Sequence, residues 1–193
     1  MDGRHARSQR ARAAIINALI AVLDGGYLNP SAQQIAERAG VSLRLVFHHF
    51  RDLESLYAEM FQVIFQTRIL PLLRFPTGEG PFDERLTSFV DHRAQLFEAV
   101  GPLRRAAEWQ EPFSPALAGQ LTEGRTANAV EALTAFSPEL EALPEDVRPT
   151  VTHAVVMATS FPAWDMMRRH QQLSVDEAKK ALLETLRRLL RQP

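Results

Sequence analysis

The sequence predicts an all-α protein. Apolar residues recur every three or four positions through most of the chain, which is the period of a helix that buries one face. No stretch shows the sustained alternation of apolar and polar residues that is typical of a half-buried strand. Ser31, Ser42 and Ser174 each stand directly before a periodic segment, where a serine hydroxyl can accept a backbone hydrogen bond and begin a helix. These three observations predict helices without a sheet.

The segment Ser31 to Phe50, SAQQIAERAGVSLRLVFHHF, contains two short predicted helices joined by a glycine. Ser31 and Gln34 have the three-residue spacing of a capping box, which predicts the start of the first helix. Gly40 follows the last periodic residue and can adopt the left-handed conformation that ends a helix. Ser42 can then cap the second helix. Two capped helices joined in this way predict a DNA-binding helix-turn-helix.

The second of these helices has a predicted inner and a predicted outer face. Val46 and Phe50 are four residues apart and share the inner face. The outer face is the predicted base-reading surface, and it carries Leu43, Arg44, Phe47 and His48.

These residues resemble the N-terminal signature of TetR/AcrR-type transcriptional regulators. That signature has an arginine-rich first helix, a glycine, an Ile-Ala pair, an Ala-Gly-Val-Ser turn and an aromatic-x-His-Phe sequence. The matching residues are Ile15, Ala18, Gly26, Ser31, Ile35, Ala36, Ala39, Gly40, Val41, Ser42, Phe47, His49, Phe50 and Leu56. The resemblance implies a three-helix DNA-binding head followed by a larger helical body that binds a ligand and forms a dimer. We expect the head to span residues 1–52 and the body to span residues 53–193.

Four positions depart from the family pattern. Arg44 stands where Gly is usual, Leu45 replaces Thr, Phe47 replaces Tyr and Leu53 replaces Lys. Three of the replaced groups donate to phosphate, so their loss should weaken docking on the duplex. Arg44 and Arg51 can compensate, because an Arg can bind a guanine edge through two hydrogen bonds.

We expect the DNA-contacting residues to come from the helix-turn-helix and from the start of the first helix. In the alternative interpretation, the exposed Leu and Phe side chains only cover a neighbouring helix. The predicted DNA-binding residues are Arg10, Ser31, Ser42, Leu43, Arg44, Leu45, Phe47, His48, His49 and Arg51.

The charge distribution supports a nucleic-acid partner at the N-terminal end. The 193 residues have a net charge of −1, but residues 1–51 contain seven Arg and three acidic residues, a net of +4. Arg12, beside Arg10 in the first predicted helix, is a further candidate for a phosphate contact. The chain has no Cys, which excludes disulfides and thiolate metal sites. No apolar run approaches a membrane span and no export signal is visible, so we expect a cytoplasmic protein.

The remaining helices are predicted from apolar stripes and from Pro and Gly boundaries. Pro71 should end the fourth helix, PTGEGP at 76–81 should be a loop, and Gly101-Pro102 should close the fifth helix. Pro162 should kink a long helix at 145–170. The predicted spans are 9–23, 53–70, a fifth helix ending before 101, 103–109, 115–136, 145–170 and a final helix after Ser174.

The last two predicted helices carry enough apolar surface to pair across a two-fold axis as a four-helix bundle. The resemblance implies the same homodimer. In the alternative, both helices pack only within one chain. The predicted interface residues are Val155, Ala158, Val175, Leu182, Leu186 and Leu189.

Aromatic, Met and a few polar residues of the body suggest a pocket for a small apolar or aromatic effector. The alternative is that they form ordinary core, since they fall at helical core spacing. The predicted ligand-binding residues are Phe61, Phe65, Phe89, His92, Arg93, Trp109, Phe113, His153, Met157, Phe161 and Trp164.

No motif predicts a metal site, a cofactor or a catalytic centre, because the six His are scattered and no glycine-rich phosphate loop is present. The sequence therefore predicts a ligand-responsive DNA-binding regulator, most simply a repressor released from its operator by its effector. Two alternatives stay open at this point. One is a regulator without a small-molecule effector, and the other is an all-α enzyme or interaction module that retains the head as a scaffold.

Overall fold

The computed structural model describes residues 2–72 and 79–191, which contain ten α-helices and no strand. A π-helical turn extends the fourth helix over Phe65–Ile69, and another follows the ninth helix over Met166–His170. The all-α class, with a helix-turn-helix head and a helical body, is confirmed. None of the helices in the described ranges is long and apolar enough to span a membrane. The helices are α1 (Asp2–Asp24), α2 (Ala32–Ala39), α3 (Leu43–His49), α4 (Leu53–Ile64), α5 (Phe82–Gln110), α6 (Pro115–Ala135), α7 (Ser137–Glu141), α8 (Arg148–Ala158), α9 (Phe161–Asp165) and α10 (Val175–Leu190).

The chain forms two compact units. The first contains the residues up to Pro71 together with Val100–Ala118, and the second contains Leu72–Ala99 together with the residues from Gly119 onward. Helix α5 therefore contributes one end to each unit. The predicted domain boundary at residue 52 stays a prediction.

The core of the first unit joins α1–α4 to the end of α5. Ile15 and Leu19 of α1 are fully buried, as is Leu56 of α4, and α3 contributes Val46. This burial fixes α3 against α1 and α4, so the opposite face of α3 points outward. The buried residues are Ile15, Ile16, Ala18, Leu19, Leu23, Ile35, Ala36, Val46, Phe50, Leu56, Met60, Ile64, Leu103 and Ala106.

The core of the second unit is built from α5–α10. Aromatic rings form its centre, where Phe89 packs edge-on against Phe136 at 5.0 Å and Phe97 packs edge-on against Phe161 at 5.4 Å between centroids. The buried residues are Leu86, Phe89, Val90, Ala94, Phe97, Ala132, Ala135, Phe136, Leu140, Leu143, Val155, Phe161, Trp164, Ala178, Leu182, Leu186 and Leu190.

Two boundary predictions are wrong, and in the first of them tertiary packing overrides the local signal. Helix α5 does not close at Gly101-Pro102 but continues to Gln110 with Pro102 inside it. An interior Pro removes one helical hydrogen bond and costs about 3 kcal/mol. The burial of Leu103 and Ala106 in the first core offsets that cost. Helix α1 likewise starts at Asp2, several residues before the predicted position at 9.

The predicted long helix at 145–170 is also wrong, because the chain breaks between α8 and α9. Ser160 accepts a hydrogen bond from the Ala163 N–H and caps α9, and Pro162 lies in the first turn of that helix. A proline there removes an N–H that has no helical partner, so it starts a helix instead of kinking one. The short helix α7 was not predicted. The predicted loop at 76–81 lies partly outside the described residues, at 76–78.

The predicted dimer stripe packs largely inside a single chain. Val155, Leu182 and Leu186 are 0–3% exposed in the second core. Helix α10 uses this stripe to pack within the second unit, including against α8, and the predicted interface stays a prediction. Ala158, Val175 and Leu189 are only partly buried.

Candidate nucleic-acid interface

The helix-turn-helix is held by side-chain caps at both of its helix starts. The Gln34 N–H donates to Ser31 Oγ at 3.2 Å, and the Ser31 N–H donates to Gln34 Oε1 at 2.8 Å. The Leu45 N–H donates to Ser42 Oγ at 3.2 Å. Each cap satisfies backbone donors that a helix start leaves free. The predicted capping box and the predicted second cap are therefore confirmed.

Gly40 makes the turn between α2 and α3. Its φ of +67° and ψ of 32° lie in the left-handed region, where a Cβ is disfavoured. The Val41 N–H then donates to the Ala36 carbonyl at 3.0 Å, which closes the end of α2. The glycine thus fixes the direction in which α3 leaves α2.

Helix α3 presents the predicted outer face to solvent. Val46 and Phe50 are 1–2% exposed, whereas Phe47 is 48% exposed. The exposed side chains between Ser42 and His48 are Ser42, Leu43, Arg44, Phe47 and His48, and Leu45 and His49 are partly buried. Arg44 forms no ion pair with any residue that the structure describes. Its guanidinium is therefore available to an external partner.

Arg12 has a structural role that the sequence did not reveal. Its Nε donates to Glu59 Oε2 at 2.8 Å, its Nη2 bonds the other carboxylate oxygen, and its Nη1 donates to the His49 carbonyl at 2.6 Å. Its Cζ also lies 4.5 Å from the Phe50 ring centroid. Arg12 thus links α1 to α4 and to the end of α3. Arg12 and Glu59 are 47 positions apart in the sequence, so no local signal predicted this pair.

Arg12 also affects the pKa of His49. Burial lowers the pKa of His49, and the charges of His48 and Arg12 lower it further. The His49 ring is therefore held neutral near pH 7, so it can offer one N–H donor but no positive charge.

The other predicted DNA-contacting residues lie around α3. Arg51 is 87% exposed and its Nε donates to Asp52 Oδ2 at 2.8 Å. Arg10 is exposed on α1, where its Nε donates to the Ala6 carbonyl at 3.3 Å. Ser31 is exposed at the start of α2. The role of these residues in DNA contact stays a prediction.

The predicted ligand-binding residues divide between the two units. In the first unit, Phe61 is partly buried, whereas Phe65, Trp109 and Phe113 are exposed. In the second unit, His153 and Met157 are exposed on α8. The remaining five are mostly or fully buried within the second unit, and they are Phe89, His92, Arg93, Phe161 and Trp164. The structure therefore does not bring the whole predicted set to one place.

One subset of that list does meet, around a residue that the sequence did not single out. Glu131 of α6 lies 2.9 Å from His92 Nδ1 and 3.0 Å from Arg93 Nη2, both on α5. The pKa of His92 is raised overall. The contact with Glu131 is the largest cause of the rise and the Leu72 carbonyl adds to it, whereas burial lowers the pKa. The sequence signal that could have revealed this cluster is Arg93 itself, because it is a charged residue within an apolar stripe. Among the described residues, no group of three or more His, Cys, Asp or Glu is placed to hold a metal ion.

Comparison with known proteins agrees with this geometry. Residues 15–60 match the family model for bacterial regulatory proteins of the tetR family. The match covers the C-terminal part of α1, all of α2 and α3, and most of α4. A crystal structure of a transcriptional regulator from Rhodococcus sp. Rha1 superposes with a TM-score of 0.66 at 18% identity, over 95% of each chain. At that identity the superposition shows a common fold. No curated protein sequence matches the chain significantly.

The family match falls on the segment whose caps, left-handed glycine and exposed α3 face form a helix-turn-helix. The predicted resemblance is confirmed over residues 15–60, which match the family model for bacterial regulatory proteins of the tetR family.

Proposed function

We propose that this regulator is a repressor that binds its operator as a homodimer and is released by a small-molecule effector bound in its second unit. The exposed face of α3 is the observation that carries the proposal. A family match over a DNA-binding segment favours a regulator over an enzyme, and DNA binding favours the cytoplasm as its compartment.

Base reading in this proposal rests on α3. A recognition helix places its N-terminal residues against base edges in the major groove. Arg44 is the second residue of α3 and can bind guanine O6 and N7 through two hydrogen bonds. The exposed Leu43 and Phe47 offer apolar contacts to thymine methyl groups.

Phosphate binding rests on the groups that flank α3. Ser42 Oγ accepts the Leu45 N–H, so its own hydroxyl hydrogen is left to donate to a phosphate oxygen. Arg51 and Arg10 add exposed positive charge on either side. These contacts would set the orientation of the head on the duplex and the salt dependence of binding.

Homodimerisation rests on what α8 and α10 leave uncovered. Met157 on α8 is 68% exposed, and Ala158, Val175 and Leu189 are partly buried. A two-fold dimer would present two α3 helices to two half-sites about one helical turn apart. Met157 is therefore the most exposed apolar residue of the proposed interface.

Release by an effector is proposed as a population shift. A ligand that binds one arrangement of the dimer better than another shifts the equilibrium by its difference in affinity. An effector that favours an α3 spacing unable to span both half-sites would lower operator affinity. The buried charged residues of the second unit support a polar contact for such a ligand.

The experiment tests DNA binding and assembly together. The full chain is titrated into fluorescent DNA from the region upstream of its own gene, at several salt concentrations, beside a scrambled duplex of equal length. We expect preferential binding of the natural sequence, a steep loss of affinity with salt and a dimer mass by light scattering. Equal binding of both duplexes, or a monomer at the concentrations that saturate the DNA, would contradict the proposal.

A further inference from the structure

The second unit contains a fully buried arginine. Arg93 lies on α5 and its side chain is 0% exposed. Its Cζ lies 4.8 Å from the Phe89 ring centroid and 5.4 Å from that of Phe97. A guanidinium over aromatic faces is attracted by the rings, but the rings do not replace its hydrogen bonds with water. Arg93 is therefore a buried charge whose hydrogen bonds must be supplied by specific acceptors.

Among the residues that the structure describes, acceptors are provided for only one of its three nitrogens. Nη2 donates to the Asn128 carbonyl at 3.1 Å and to Glu131 Oε2 at 3.0 Å. Nε and Nη1 are buried and have no hydrogen-bond partner among the residues that the structure describes. Buried donors are nearly always paired, because an unpaired one loses its hydration without replacement. The free donors of Arg93 thus favour an external acceptor.

The charges around Arg93 indicate which kind of acceptor fits. Glu131 contacts both Arg93 and His92, because its Oε1 atom lies 2.9 Å from His92 Nδ1. One carboxylate therefore faces one permanent cation and one imidazole that becomes cationic on protonation. With His92 protonated, these three groups carry one net positive charge, which one further negative charge neutralises. A dianion would leave an excess negative charge in the core.

We propose that Arg93 binds the carboxylate of the effector, which is a small monocarboxylic acid with an apolar body. A carboxylate supplies an acceptor for Nη1 or for Nε, whose N–H bonds point to different sides of the guanidinium, and such a charge-assisted bond is strong away from water. Phe89 and Phe97 provide the apolar surroundings that the body of the acid requires. This inference rests on the proposed effector response and narrows the effector from apolar compounds in general to organic acids.

The test compares acids with alcohols of the same carbon skeleton. Octanoate is paired with 1-octanol, and phenylacetate with 2-phenylethanol, in calorimetric titrations of the full chain without DNA. We expect at least one acid to bind about tenfold or more tightly than its alcohol, because the alcohol lacks the charge that pairs with Arg93. Equal affinities within both pairs, or no binding of either acid, would overturn the proposal.

Three variants assign the preference to this cluster. Arg93→Met should abolish the preference for the acid. Glu131→Gln keeps the side-chain volume but removes the carboxylate that competes for Arg93, so it should strengthen acid binding severalfold. Unchanged or weaker acid binding by this variant would overturn the proposal, even if Arg93→Met does not fold. Arg188→Met is the matched control, because Arg188 is 82% exposed on α10 and should leave binding unchanged.

Operator release is measured separately, which distinguishes this inference from the proposed function. An acid that binds through Arg93 but leaves operator affinity unchanged would support the acid site and contradict the effector response. A neutral compound that releases the operator, with no acid binding, would support the effector response and overturn the acid site.

Discussion

Replacement of Arg44 by Ala tests the assignment of α3 as the reading helix. The structure indicates that this change leaves the fold intact. Arg44 is exposed and has no ion pair within the described residues, and α3 is held instead by the Ser42 cap and by buried Val46 and Phe50. A surface substitution of this kind changes the unfolding free energy by less than about 0.5 kcal/mol. Any larger effect on DNA binding then comes from a lost contact.

The magnitude of that effect follows from the chemistry of the contact. An Arg that binds a guanine edge through two hydrogen bonds contributes about 1–3 kcal/mol of discrimination. At each half-site, Arg44→Ala should therefore lower specific affinity by about fivefold to 150-fold. The loss should be confined to the base pair that Arg44 reads, because phosphate contacts are unaffected.

The assay is fluorescence anisotropy at a fixed salt concentration, with the operator and with duplexes that change one base pair at a time. Arg44→Lys is the first control, since it keeps the charge but loses the planar pair of donors. It should retain non-specific affinity and lose discrimination. Arg12→Met is the second control. The Arg12 pair with Glu59 is partly exposed, so this variant should lower stability by about 1 kcal/mol and leave base preference unchanged.

An Arg44→Ala protein that keeps the base preference of the wild type would refute the reasoning. The same conclusion would follow if Arg12→Met changed base preference and Arg44→Ala did not. Either result would show that the base-reading surface is not the outer face of α3.

Three further predictions concern the second unit. Leu186→Ala should lower the unfolding free energy by about 2–5 kcal/mol in urea titrations, because Leu186 is fully buried within one chain. Met157→Glu should leave stability nearly unchanged and weaken the proposed dimer in light scattering, because Met157 is exposed. A stable, fully dimeric Met157→Glu protein would place the interface elsewhere. His92 has a raised pKa in the folded state, so its stabilising contribution is complete below the unfolded-state value of about 6.5 and is lost as the pH rises through the folded-state value. Between about pH 6 and pH 8 the unfolding free energy should therefore fall more for the wild type than for His92→Gln, and parallel profiles for the two proteins would contradict this.

The sequence predicted those parts of the site that depend on neighbouring residues. The cap at Ser31 joins residues three apart, and Gly40 acts through its own φ angle. Such signals are complete within one helical turn, so the helix-turn-helix was predictable. The order of the helices and the absence of strands from the described ranges follow from the same short-range periodicity.

Features that depend on distant partners were not predictable in this way. An apolar stripe shows that Leu182 and Leu186 are buried, but it does not show whether the covering surface belongs to the same chain or to a second copy. Pro102 is a helix terminator by local rules, yet burial of the residues that follow it keeps α5 continuous. Glu131 meets His92 and Arg93 only after α5 and α6 pack together.

The route of α5 has a consequence for dividing the protein into fragments. Leu103 and Ala106, which lie beyond Pro102, belong to the buried core that also contains Ile15 and Leu56. A fragment that stops at Pro71 therefore lacks part of its own interior and exposes the apolar side chains that those two residues cover. Since the stretch Leu72–Ala99 belongs to the other unit, the two units are interleaved along the chain, and no single cut yields an intact first unit.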